Sequence, residues 1–143
     1  MIAIAVASFA RMTGTIFSDL GQASRFMALE WVQELFKQCL GYQPFPATLN
    51  LRPATPDDAR VWQRVQCELA GVALAPAAGG HCAAKLYMVD IEASAGSARV
   101  AGAVVLPEVK DYPSDKIEVV APVCLKDHLG IQDGDRLTLE FLR

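Results

Sequence analysis

The chain has 143 residues, of which 52% are hydrophobic and 20% are charged, so one folded domain over residues 1–143 is predicted and a disordered chain is excluded. The net charge of −3 gives no basis for a nucleic acid or a membrane surface as a partner. No Cys-x-x-Cys pair occurs, which favours free thiols in a reducing, cytoplasmic compartment over a zinc site or a disulfide framework. The cysteines concerned are Cys39, Cys67, Cys82 and Cys124.

The first part of the chain predicts a strand, a loop and a helix. Residues 1–10 are apolar, but no basic residue precedes them and they are too short to span a bilayer, so they are predicted to lead into a first strand. Residues 14–18 are predicted to run from a strand into a turn, and the small and polar residues 19–24 predict a loop. Apolar residues at helical spacing predict a helix over 29–40, ended by Gly41.

Residues 41–51 follow this helix, turn on two prolines and end in a short extended run. If that run is a strand, Thr48 and Asn50 share the face opposite to Leu49 and Leu51. Two oxygen-bearing side chains on one face are a candidate site for a hard cation or a phosphate. A purely structural role is the alternative, because threonine suits strands and asparagine suits turns.

The second part of the chain predicts short strands with few helices. Thr55 and Pro56 predict a helix start, and that helix should continue to about Gln66. Residues 73–80 are rich in alanine, proline and glycine and predict a loop, and residues 123–129 predict a short helix. Strands are predicted at 84–93, 98–106, 116–120 and 136–141, the first two as a hairpin. This pattern predicts a mainly β (α+β) domain, a small β-barrel with a few attached helices.

The polar residues alone identify no catalytic residue. His81 and His128 are far apart in the sequence and no nucleophile motif accompanies them, so a hydrolytic triad has little support. Residues 133–135 predict a turn, since the other ligands of a calcium loop are missing. Asp90 and Glu92 share a strand face and are predicted to form a solvated edge.

Three stretches, in order, resemble the archaeal-type, CTP-dependent riboflavin kinases: residues 41–51, 115–122 and 125–135. The first carries the Thr-Leu-Asn of that family's central signature at residues 48–50. The resemblance implies a six-stranded cradle-loop β-barrel. It also implies an enzyme that transfers the γ-phosphate of CTP to the 5′-hydroxyl of riboflavin, giving FMN and CDP.

The resemblance implies site residues as well. Thr48 and Asn50 match the residues that hold Mg²⁺, and Glu118 matches a residue that contacts the flavin. In a gapless count, Lys110 falls where the family has a flavin-contacting threonine. The two stretches that match nucleotide-contacting segments are Asp19, Leu20, Gly21, Gln22, Ala23 and Ser24, and Val123, Cys124, Leu125 and Lys126.

Other functions remain open at this point. Residues 19–24 keep one glycine and add an acid where the family's loop is glycine-rich, which motivates a non-catalytic barrel that binds a flavin or a nucleotide. A kinase of the same fold that acts on another small alcohol is a further alternative. Residues 129–135 also resemble swapped-hairpin DNA-binding proteins, but the acidic balance counts against DNA. A monomer is the expected oligomeric state.

Overall fold

The computed structural model describes residues 7–18, 25, 27–74, 84–93 and 98–143. Within these residues it contains seven strands and three helices. The strands are β1 (Ser8–Phe17), β2 (Leu49–Pro53), β3 (Val72–Leu74), β4 (Ala84–Glu92), β5 (Val100–Pro107), β6 (Ile117–Val120) and β7 (Arg136–Leu142). The helices are α1 (Glu30–Leu40), α2 (Pro56–Glu68) and α3 (Leu125–Leu129).

Six strands close into an antiparallel barrel in the order β4-β5-β6-β2-β1-β7, because β7 also pairs with β4. The predicted six-stranded barrel with attached helices is therefore confirmed. The predicted hairpin is confirmed too, since β4 and β5 pair from Ala84 opposite Pro107 to Ile91 opposite Val100. Its turn, at 94–97, lies outside the described residues.

Strand β3 corrects the sequence interpretation, which assigned residues 73–80 to a loop. Val72 pairs with Leu86 and Leu74 pairs with Ala84, so β3 extends the sheet beside the first half of β4. The second half of the same edge of β4 pairs with β7, where Val89 lies opposite Phe141. Three residues are too few for a period-2 pattern, so this strand depends on its tertiary partner and not on a local signal.

The barrel interior is filled by apolar side chains and is closed at one end by α2. Trp62 of α2 is 2% exposed, and its ring centroid lies 5.8 Å from that of Phe141, in a stacked arrangement. The predicted start of this helix is confirmed, since the Thr55 hydroxyl accepts a hydrogen bond from the backbone N–H of Asp58. The Asp58 carboxylate in turn accepts one from the N–H of Thr13 at 2.8 Å, which attaches α2 to β1.

Helix α1 covers part of the outer face of the barrel. Val32 and Phe36 form a second apolar cluster with outward-facing residues of three strands, which include Leu86, Ala103 and Val120. The helix ends as predicted at Gly41, whose φ of 83° is in the left-handed region that glycine adopts without strain. Of the helices in the described ranges, none is long and apolar enough to cross a membrane.

The outer face near β7 carries an ion-pair cluster. Arg99 donates to Glu140 at 2.7 Å and lies 3.2 Å from Glu92 and 3.9 Å from Asp90. The Glu140 carboxylate raises the pKa of the Arg99 guanidinium. The expectation of a solvated edge is wrong for Glu92, which is 8% exposed, because Arg99 and Arg11 lie over it.

Candidate functional site

A polar cluster forms on the outer face of the barrel around Glu118 of β6. Its neighbours Ile117 and Val119 point into the barrel core, so Glu118 points outward. The pairing of β2 with β6 places Asn50 directly opposite Glu118. Because opposite residues of an antiparallel pair share a face, their side chains lie next to each other. Glu118 is nevertheless buried, with 8% of its surface exposed.

Thr48 completes the cluster from the loop before β2. Its hydroxyl donates a hydrogen bond to Oε1 of Glu118 at 3.0 Å. The loop is fixed nearby, since the backbone N–H of Phe45 donates to the carbonyl oxygen of Ala121 at 2.8 Å. Because the single Thr48 proton is used by Glu118, the lone pairs of its Oγ1 face away from Glu118 and are available to a cation.

The side-chain oxygen of Asn50 is the unusual atom of the cluster. Oδ1 is buried and has no hydrogen-bond partner in the part of the chain that the structure describes. Buried polar atoms in native proteins are nearly always paired, so an orphaned oxygen indicates a missing partner. Carbonyl and hydroxyl oxygens are hard ligands of the kind that Mg²⁺ accepts. The described residues hold no group of three or more histidine, cysteine or acidic side chains in metal-binding geometry, so the fit to a metal depends on these two neutral oxygens.

Sequence reasoning missed Tyr112. This residue lies in the loop between β5 and β6, and its hydroxyl donates to Oε2 of Glu118 at 2.5 Å. Asp111 before it has a φ of 66°, a left-handed conformation that turns the loop at this point. Both oxygens of Glu118 therefore accept a hydrogen bond, one from Thr48 and one from Tyr112. The only sequence signal for Tyr112 is that an aromatic residue occurs in a polar loop bounded by prolines.

Thr48 also borders a cleft of about 180 Å³ that contains the second predicted nucleotide segment. This segment precedes and begins α3 and contributes all four of its residues to the cleft wall, namely Val123, Cys124, Leu125 and Lys126. Phe45 and Ala47 form the opposite side together with Thr48. The structure thus brings the predicted metal residue and the predicted nucleotide segment to one cleft.

Comparison with known proteins identifies the family of the chain. Residues 16–141 match the model of the CTP-dependent riboflavin kinase family, described as a domain of unknown function, DUF120. The chain belongs to this family. The resemblance drawn from three sequence stretches is thereby confirmed.

Named relatives of the chain are archaeal riboflavin kinases. The one from Pyrobaculum islandicum is 33% identical over 134 residues, which are 92% of this chain and 60% of that protein. The one from Archaeoglobus fulgidus is 30% identical, over 92% of this chain and 54% of that protein. The chain therefore spans a little over half the length of these relatives. The riboflavin kinase of Aeropyrum pernix is 34% identical, over 90% of this chain and 93% of its own length.

In this member of the family, the basic residue Lys126 is held by neighbours at the rim of the cleft. Its ammonium group lies 2.9 Å from Oδ1 of Asp133 and 3.5 Å from the hydroxyl of Ser18. Hydrogen bonds from Ser18 and Lys126 lower the pKa of Asp133. Ser18 is also the residue before the first predicted nucleotide segment, residues 19–24, which lies outside the described residues.

The other predicted flavin contact of this family member, Lys110, is not joined to Glu118. It is exposed in the turn between Val109 and Tyr112, and among the described residues it forms no ion pair with Glu118. His81, singled out for its chemistry, lies outside the described residues, whereas His128 is exposed on α3. The structure therefore brings together Thr48, Asn50 and Glu118.

Proposed function

We propose that this domain is a CTP-dependent riboflavin kinase, which transfers the γ-phosphate of CTP to the 5′-hydroxyl of riboflavin and gives FMN and CDP. The family match and the names of the relatives support this proposal. The observation that carries it in the structure is the unpaired Oδ1 of Asn50 beside Thr48, at a cleft formed by the nucleotide segment.

In this proposal Thr48 and Asn50 hold a Mg²⁺ ion. Each offers a neutral oxygen, and Mg²⁺ usually keeps several water and phosphate ligands, so two protein oxygens are enough. When bound, the ion would neutralise charge on the phosphate oxygens. Glu118 supports this site, because its carboxylate fixes the direction of the Thr48 hydroxyl.

The cleft residues bind the nucleotide. Backbone groups of residues 123–125 can form hydrogen bonds with a pyrimidine base, and Lys126 supplies positive charge at the rim. Residues 19–24 complete the phosphate site in the proposal, and their neighbour Ser18 lies beside Lys126. Lys110 remains a proposed acceptor contact because of its exposed position in the loop, although among the described residues it forms no ion pair with Glu118.

The acceptor hydroxyl meets the γ-phosphate near Glu118. The oxygen of the 5′-hydroxyl forms a bond to the γ-phosphorus while the bond from that phosphorus to the β–γ bridging oxygen breaks, and the hydroxyl proton is released. Phosphoryl transfer has a loose transition state, so positioning and charge neutralisation matter more than a strong base. Glu118 accepts hydrogen bonds from Thr48 and Tyr112, and in the proposal its remaining lone pairs orient the hydroxyl. No residue is assigned as general base.

A screen of CTP, ATP, GTP and UTP against riboflavin with Mg²⁺, with FMN measured directly, tests the proposal. We expect FMN with CTP alone, and no FMN with any nucleotide would overturn it. Asn50→Ala should abolish transfer while the fold remains intact, whereas Gln63→Ala, at an exposed position of α2 away from the cluster, should retain it. Near-normal turnover of Asn50→Ala would refute the metal assignment.

A non-catalytic binding barrel is the second candidate, and one observation favours it. Lys126 is already paired with Asp133, so less of its charge is offered to a phosphate. Purified protein that retains flavin but shows no turnover with any nucleotide would support this candidate. In either case a single domain, a monomeric state and a cytoplasmic location remain predictions, with no nucleic acid or membrane as a proposed partner.

A further inference from the structure

A row of outward-facing side chains follows β2 from the nucleotide cleft across the outer face of the barrel. Leu49 and Leu51 belong to the barrel core. Asn50 and Arg52 alternate with them, so both point outward, and Thr48 borders the cleft before them. Outward residues that follow each other on a strand are about 7 Å apart, because each residue adds about 3.4 Å. Arg52 is therefore one step beyond the proposed metal residues, on the side away from the cleft.

The guanidinium of Arg52 extends back toward the level of Asn50. The register of β1 with β2 places Phe17 opposite Asn50 and Thr15 opposite Arg52. Cζ of Arg52 nevertheless lies 3.9 Å from the centroid of the Phe17 ring, so the side chain runs diagonally across the two strands. Phe17 is also the last residue of β1, and the first predicted nucleotide segment, residues 19–24, begins two residues later in the sequence.

Most of the hydrogen-bonding capacity of Arg52 is unused in the described part of the chain. Its one ion pair there is with Asp115, and the 3.8 Å between Nε and Oδ2 is longer than a hydrogen bond. The two side chains are 58% and 64% exposed, so their attraction is weak. Arg60 and Arg64 of α2, in contrast, each donate a hydrogen bond to a carboxylate of their own helix. The Phe17 ring orients the Arg52 guanidinium but accepts none of its N–H groups in the plane of the fork.

A fixed guanidinium with unused donors suits a phosphoryl group. Its two parallel N–H groups match two oxygens of a phosphate, a geometry that an ammonium group does not offer. Transfer of a phosphoryl group also requires that the charge on its outer oxygens be neutralised by groups already in position. Lys126, at the rim of the cleft, is paired with Asp133. Arg52 has no such hydrogen-bonded carboxylate among the described residues.

We propose that Arg52 is a catalytic residue that binds the phosphoryl group during transfer and then holds it as the 5′-phosphate of FMN, with Phe17 as the positioning residue of its guanidinium. The inference rests on the proposed function, because it names a residue for that reaction. The 5′-oxygen forms a bond to the γ-phosphorus, the bond to the β–γ bridging oxygen breaks with its electron pair going to CDP, and the hydroxyl proton passes to water. Arg52 donates hydrogen bonds to the non-bridging oxygens throughout, and it neither gains nor loses a proton.

The affinities for FMN and riboflavin isolate the phosphate, because the two ligands differ only in that group. Both Kd values are measured by flavin fluorescence in MgCl₂ without a nucleotide, so no turnover is required. Arg52→Gln removes the charge, whereas Arg52→Lys keeps the charge and loses the planar fork. Arg60→Gln is the matched control, because the Arg60 side chain is 66% exposed and ion-paired on α2, away from the row on β2.

We expect Arg52→Gln to weaken FMN binding by about tenfold or more and to leave riboflavin binding within about twofold. Arg52→Lys should have an intermediate affinity for FMN, and Arg60→Gln should bind both ligands as the unmodified domain does. Unchanged FMN affinity in folded Arg52→Gln, an equal loss for riboflavin, or no FMN binding by the unmodified domain would overturn the inference. If no nucleotide gives FMN but Arg52→Gln still loses FMN selectively, the kinase proposal fails and the phosphate site stands.

Turnover tests the role of Arg52 in the transfer step. Arg52→Gln should lower kcat by about 100-fold and change the KM for riboflavin by less than about threefold, since the contact is to the transferred group. Arg52→Lys should recover about tenfold of that loss, because the charge is kept. A kcat of Arg52→Gln equal to that of Arg60→Gln would refute the role in transfer.

The role of Phe17 is tested through the same pair of ligands. Phe17→Leu removes the ring beneath the guanidinium, whereas Phe17→Tyr keeps it. Phe17→Leu should weaken FMN binding by about threefold with riboflavin binding unchanged, and Phe17→Tyr should restore FMN binding. Arg52→Gln combined with Phe17→Leu should bind FMN as Arg52→Gln alone does, because the ring acts through Arg52. A further loss of FMN affinity in the double variant would refute the positioning role.

Discussion

Replacement of Asn50 by leucine tests the orphaned oxygen in the metal-free protein. A buried acceptor without a partner costs about 1–3 kcal/mol, and leucine removes that acceptor with a side chain of similar size. We therefore expect Asn50→Leu to raise the free energy of unfolding by roughly 1 kcal/mol, at the lower end of that range because the residue is only half-buried. In a domain of this size that gain corresponds to an increase in Tm of about 3 °C.

A polar residue that has its partner should behave in the opposite way. Thr138 of β7 lies opposite Thr13 of β1, and their hydroxyl oxygens are 3.1 Å apart. Thr138→Val removes a hydrogen bond that is made, so it should lower the free energy of unfolding by about 0.5–1.5 kcal/mol. The two variants together separate the effect of an unpaired oxygen from the general effect of an apolar substitution on the barrel.

Thermal unfolding is measured first in EDTA and then with MgCl₂ and CDP. A ligand that binds only the folded state raises Tm, by mass action, according to its concentration relative to Kd. The unmodified protein and Thr138→Val should gain stability from MgCl₂ with CDP, whereas Asn50→Leu should gain much less and should lose turnover. An Asn50→Leu protein that is less stable than the unmodified protein in EDTA would show that Oδ1 has a partner, and the reasoning would be refuted.

Three further predictions concern packing and charge. A Cβ on Gly102 would lie 2.5 Å from the carbonyl oxygen of Val120, so Gly102→Ala should lower stability in urea by about 1–3 kcal/mol. Trp62→Ala should cost about 3–5 kcal/mol in the same assay, because the indole closes one end of the barrel. The lowered pKa of Asp133 contributes stability that is present above the ordinary value of 3.8 and is lost as pH falls through the folded value. As the pH falls below 3.8, Asp133→Asn should therefore lose less of its free energy of unfolding than the unmodified protein does. The same dependence of stability on pH in both proteins would show that the hydrogen bonds of Asp133 do not stabilise the fold.

Much of the fold was predictable because its signals are local. Helix α1 has a continuous apolar stripe and a terminal glycine, and α2 has a threonine cap followed by proline. The hairpin of β4 and β5 follows from alternation and a small-residue turn. Strand β3 was not predictable, because its three residues acquire strand geometry only by pairing with β4.

The proximity of the candidate site residues was predictable only in part, from one short motif. Thr48 and Asn50 share a Thr-Leu-Asn signature, and the register of β2 with β6 then places Glu118 beside them. Tyr112 has no such signal, since its contact depends on a loop turned by the left-handed backbone of Asp111. A gapless count selected Lys110 in the same loop, two residues earlier, as a flavin contact, and that role stays a prediction.

The outer face of the barrel at β6 explains why the carboxylate of Glu118 can be buried. Glu118 and Val120 are two residues apart on β6, so both point outward. Val120 is covered by the apolar side of α1, whereas Glu118 lies under the Thr48 loop and the Tyr112 loop, each of which supplies one hydroxyl. A buried carboxylate is tolerated when it is hydrogen-bonded, so the same two loops that exclude water also stabilise the charge. The consequence is that the Thr48 and Asn50 oxygens are held in a partly dry environment, where the interaction with the proposed cation would be stronger than at an open surface.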